Sequence, residues 1–82
     1  MTRKQRIMNA IENKMYKNGG HWCKLNMKKG GALLLQRQNK TYFEDLRHED
    51  FNVYNYINDN NKEIILENAQ LREIADYMIK NY

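Results

Sequence analysis

The chain has 82 residues with 41% hydrophobic side chains, no proline and four glycines, which excludes a disordered, collagenous or linker-type chain and predicts one folded domain over residues 1–82. A chain this short buries only roughly 60% of the surface its unfolded form exposes, so a deep enclosed active site is not expected. Fourteen lysines and arginines against ten acidic residues give a net charge of +4, which is mildly basic and far from histone-like.

Between Arg3 and about Asn18, apolar residues recur at Ile7, Met8, Ile11 and Met15, the three-to-four spacing of an amphipathic helix. Thr2 is placed to cap its start, and Asn18-Gly19-Gly20 to stop it, since glycine accepts the left-handed conformation common past helix ends. From His21 to Lys28 the period changes to two. Cys23, Leu25 and Met27 face one way and Trp22, Lys24, Asn26 and Lys28 the other, which predicts a half-buried strand. Lys29-Gly30-Gly31 is a hairpin signal, and Ala32 to Gln38 reads as the returning strand. Asn39-Lys40 reads as a second tight turn, after which Thr41 to Arg47 would complete a meander.

His48-Glu49-Asp50 is a polar corner. Phe51 to Ile57 then alternates as a further strand, with Phe51, Val53 and Ile57 on one side and Tyr54 and Tyr56 on the other. Asn58-Asp59-Asn60-Asn61 carries strong turn chemistry, and a short last strand is expected over Glu63 to Leu66. Asn68 is the expected N-cap of a helix over Ala69 to about Asn81, because Leu71, Ile74, Ala75, Met78 and Ile79 share one helical face. The expected architecture is therefore α+β: an N-terminal helix, an antiparallel meander of four to five strands, and a C-terminal amphipathic helix packed on the sheet. Ile7, Ile11, Leu33, Leu35, Leu71, Ile74 and Met78 are the expected core.

Several chemistries have no signature. The glycines occur only as two pairs, neither of which opens a helix after a strand, so no phosphate-cradling loop is expected. His21, Cys23 and His48 are the whole complement of Cys and His, one short of a structural zinc site, and no metal or other cofactor is expected. A lone Cys among apolar neighbours behaves as a small hydrophobe, and the carboxylate pairs Glu44-Asp45 and Glu49-Asp50 point to opposite strand faces. The expectation is a protein that is not an enzyme. One cysteine fits a reducing, cytoplasmic setting. The longest apolar run, Ala32 to Leu35, is far below a membrane span, and the basic N-terminus is interrupted too soon for an export signal.

Charge is where the chain is unusual. Residues 1–40 hold ten basic residues against Glu12 alone, a balance of +9, whereas residues 41–82 hold four against nine, a balance of −5. Such asymmetry points to an electrostatic partner. Arg3, Lys4, Arg6, Lys24, Lys28, Lys29, Arg37 and Lys40 are candidates for contact with a polyanion, with the last four near two presumed hairpin tips. Trp22, Tyr54 and Tyr56, on the sheet face away from the helices, are candidates for stacking or anchoring.

These features predict a binding protein that docks a basic N-terminal surface onto nucleic acid or a nucleic-acid-handling protein, with no membrane partner. By architecture alone, such a chain is similar to accessory proteins of phages and mobile elements, including anti-CRISPR and other anti-defence inhibitors of host nucleases. The alternative is a protein–protein module, including a self-associating subunit, because a positive half and a negative half are complementary to each other.

Overall fold

The structure, a computed structural model, describes residues 1–26, 31–38 and 45–81. Within them the element order is α1 (Arg3–Lys17), β1 (Trp22–Asn26), β2 (Ala32–Arg37), a 3-10 turn at Leu46–His48, β3 (Phe51–Asn58), β4 (Asn61–Ala69) and α2 (Leu71–Asn81). The strands form one antiparallel sheet in the order β1-β2-β3-β4, with both helices packed against it. The α+β class and the position of both helices are as expected.

Local chemistry sets the boundaries of α1. Thr2 and Gln5 form a reciprocal capping box: the Gln5 N–H donates to Thr2 Oγ1 at 3.2 Å, and the Thr2 N–H donates to Gln5 Oε1 at 3.0 Å. At the other end Gly19 and Gly20 have φ of 86° and 83° and turn their N–H groups back to the carbonyls of Tyr16 and Met15. This Schellman closure satisfies carbonyls that the helix leaves open, in a backbone conformation that a side chain would strain.

One face of the sheet holds the core. Ile11 and Met15 of α1 and Leu71 and Ile74 of α2 meet Cys23, Leu33, Leu35, Phe51, Val53 and Ala69, which come from all four strands, and Leu46 from the 3-10 turn closes the cluster. Ile7 and Met78 pack half-buried at its margin. Ile57 was expected on the buried side with Phe51 and Val53, but it stands 67% exposed, one residue from the end of β3.

Three boundaries differ from expectation. The strand anticipated over Thr41 to Arg47 does not include its described residues 45–47, and β2 pairs directly with β3 from Ala32↔Tyr56 to Arg37↔Phe51. Residues 41–44 lie outside the described residues; Leu46–His48 forms a 3-10 turn, with the Asp45 side chain accepting from the Arg47 N–H at 2.9 Å. The last strand is nine residues long rather than four. Its polar ends are tolerated because β4 is a sheet edge, and its pairing with β3 is interrupted by bulges, which twist an edge away from foreign strands.

Asn68, the expected N-cap of α2, instead takes a left-handed φ of 53° within β4, and Ala69 is buried opposite Phe51. The helix starts two residues later, where the Gln70 carbonyl accepts from the N–H groups of Glu73 and Ile74.

Candidate nucleic-acid interface

The sheet face opposite the helices is organised in rows by the strand register. Trp22, Gln36 and Asn52 form one row, Lys24, Leu34, Tyr54 and Ile64 the next, and Asn26, Ala32, Tyr56 and Lys62 the third. Successive rows along a strand are about 7 Å apart, because same-face residues alternate. Trp22 is 45% exposed at the β1 edge, and Tyr54 and Tyr56 stand half-buried in the centre.

Cations from the two edge strands lie across the tyrosines. Lys24 Nζ of β1 sits 5.2 Å from the Tyr56 ring centre, and Lys62 Nζ of β4 sits 5.1 Å from that of Tyr54. Each contact is diagonal with respect to the register: Lys24 reaches across β2, where Leu34 and Ala32 are buried although they point away from the core, and Lys62 reaches the adjacent strand β3. The two central rings therefore fix ammonium groups above the sheet, and Trp22 presents the exposed aromatic surface.

The remaining polar groups are neutral amides and one carboxylate. Gln38, just beyond β2, donates from Nε2 to Asn52 Oδ1 at 2.8 Å and to Asn68 Oδ1, tying the left-handed Asn68 to the rim of the Trp22 row. Across the face, the Tyr56 hydroxyl donates to Asp59 Oδ1 at 2.8 Å. That hydrogen bond is the main reason the phenol's pKa is raised, because ionisation would remove the proton it donates to the carboxylate. A shallow recess runs between Trp22, Lys24, Gln36, Tyr56, Asp59 and Lys62 over Leu34. Amides donate and accept, ammonium groups attract phosphate, and an exposed indole stacks, so the face offers the groups a single-stranded nucleic acid uses.

The other candidates from the sequence do not join this face. Arg3, Lys4 and Arg6 are on α1, on the opposite side of the sheet, and Lys4 is paired with Asp76 of α2 at 3.0 Å. Arg37 is not at a hairpin tip. It belongs to β2 and shares the core side with Leu33 and Leu35; its side chain is 1% exposed, with Nη2 3.1 Å from His21 Nδ1 and Nη1 4.0 Å from Glu49 Oε1. It serves as a buried structural charge. Lys28, Lys29 and Lys40 lie outside the described residues.

The +9 and −5 halves are thus partly interleaved in space. Asp76 returns to Lys4, Glu49 to Arg37, and Arg47 to Glu12, the only acidic residue of the first forty. Sequence reasoning misses Lys62, which sits in the acidic half of the chain; only its register opposite Tyr56 brings it onto the aromatic face.

Cys23 is buried on the core side, and burial pushes its thiol up to about 11, the reverse of what a nucleophile or metal ligand needs. Among the described residues no three His, Cys, Asp or Glu side chains converge as metal ligands, and no helix is long and apolar enough to cross a membrane. Compared with protein families, curated proteins and solved structures, the chain matches none of them.

Proposed function

We propose that the protein is a non-catalytic nucleic-acid-binding module whose uncovered sheet face takes a single strand. The observation that carries this reading is the convergence of the exposed Trp22 with two lysines held over tyrosine rings, Lys24 from one sheet edge and Lys62 from the other. In this reading a base stacks on Trp22 while the flanking phosphates meet Lys24 and Lys62, and the Gln36, Gln38 and Asn52 amides face the stacked base.

The arrangement gives affinity without strong sequence preference, because every base has a ring face and every nucleotide a phosphate. The test is the affinity of the full chain for a labelled 20-nucleotide single strand. Loss of base–aromatic stacking is worth roughly 1–3 kcal/mol, so Trp22→Ala is expected to weaken binding roughly 5- to 150-fold. Lys24→Gln with Lys62→Gln should reduce the salt dependence. Unchanged affinity in both variants would refute the assignment of this face, and capture of a protein that survives nuclease treatment would favour a protein partner instead.

A further inference from the structure

The solvent side of α1 carries a second basic surface that the sheet face does not use. At 100° per residue, Arg3, Arg6, Ala10, Asn13, Lys14 and Lys17 fall within an arc of about 100°, and all six are exposed. The row runs about 21 Å along the helix at 1.5 Å per residue. It contains no carboxylate: Glu12 is turned round the helix to Arg47, and Lys4 to Asp76. We infer that this row is a docking strip for the phosphate backbone of a double-stranded nucleic acid, separate from the single-strand face.

Two observations favour this occupant. Lys14 and Lys17 at the C-terminal end suit the helix dipole, but Arg3 and Arg6 stand in or next to a first turn with no acidic residue, where positive charge opposes the dipole. The helix dipole does not account for Arg6, and a polyanion does. The outer surface of the neighbouring helix is mixed, with Arg72 and Lys80 beside Glu73 and Asp76, all exposed. A broad anionic surface such as a membrane would meet both helices and be repelled by those carboxylates. A rod lying along this row of α1 meets cations and no carboxylate.

The measurement is the affinity of the full chain for a labelled 20-base-pair DNA duplex from 50 to 200 mM salt. Neutralisation of three phosphates by Arg6, Lys14 and Lys17 gives a log–log slope near −2.7, a loss of about 40-fold across that range. Arg6→Gln, Lys14→Gln and Lys17→Gln together should flatten this dependence and abolish duplex binding at 100 mM salt, with the thermal transition retained. Trp22→Ala should leave duplex affinity unchanged, so that failure of this strip and failure of the sheet face are distinguishable. Absence of duplex binding at 50 mM salt, an unaltered slope in the triple variant, or tighter binding to phosphatidylserine vesicles than to the duplex would overturn the inference.

Discussion

Replacing Arg37 by Met separates the buried arginine from the proposed binding surfaces. The guanidinium is at the end of β2, inside the sheet's core side, with Glu49 Oε1 4.0 Å from Nη1 and His21 Nδ1 3.1 Å from Nη2. Met fills much of the same volume but leaves Glu49, whose side chain is only 15% exposed, without its cation. Removing one member of a buried pair costs roughly 3–5 kcal/mol when the other charge stays fully enclosed. Glu49 keeps a path to water, so the expected loss is about 2 kcal/mol.

A domain of this size has a total stability of roughly 4–12 kcal/mol, so the loss is large. With a urea dependence near 1 kcal/mol per molar, the unfolding midpoint should fall by about 2 M. The double variant Arg37→Met with Glu49→Gln should recover about half of it, because the stranded charge is then gone. Equilibrium urea unfolding followed by circular dichroism reads both values. Binding of single strand and duplex by Arg37→Met should match the parent under conditions where both are folded. A midpoint within 0.3 M of the parent, or a binding loss without a stability loss, would refute the buried role and return Arg37 to the surface, where the charge pattern first placed it.

The thiol of Cys23, pushed up to about 11 by burial, should resist Ellman's reagent at pH 8 and react at the rate of opening; fast stoichiometric labelling of the native protein would contradict its place in the core. Because the folded value lies above the ordinary 9.0, the thiol's contribution to stability is full below pH 9 and is lost as pH rises towards 11. Urea midpoints should therefore fall more steeply over pH 9–11 in the parent than in Cys23→Ala. At Asn68, φ of 53° predicts that Asn68→Ala costs roughly 1–2 kcal/mol and Asn68→Gly less, with thermal melts as the readout; equal losses would assign the residue's value to its Gln38 hydrogen bond alone.

The elements whose periodicity was uninterrupted were legible before folding was considered. Both helices, the alternation of Trp22–Asn26 and the burial of Ile11, Leu33, Leu35, Leu71 and Ile74 follow from apolar spacing alone. The failures have separate causes. Asp45-Leu46-Arg47 holds one apolar residue among charges, a pattern that serves a strand or a tight turn equally, and only the direct pairing of β2 with β3 decides between them. Asn68 is chosen for left-handed backbone rather than capping, two uses of one side chain.

Arg37 shows the limit of counting charges: an arginine between Leu35 and a presumed turn looks exposed until the chain before β1 and the segment before β3 bring His21 and Glu49 onto it. The proposed binding face was half legible. Trp22, Lys24, Tyr54 and Tyr56 share a pleat side, but Lys62 joins them through a register that no local pattern encodes. Lys14 and Lys17 were within reach, since they continue the helical face that begins at Arg3 and Arg6.

The most direct measurement uses the chain's single tryptophan as its own reporter. Titration of the full chain with an unlabelled single-stranded oligonucleotide, followed by Trp22 fluorescence at low salt, should show saturable quenching and protection of the indole from acrylamide, both reversed by added salt. Binding detected by anisotropy with no change at Trp22, or no binding at 50 mM salt, would contradict the assignment of the open sheet face as the single-strand site.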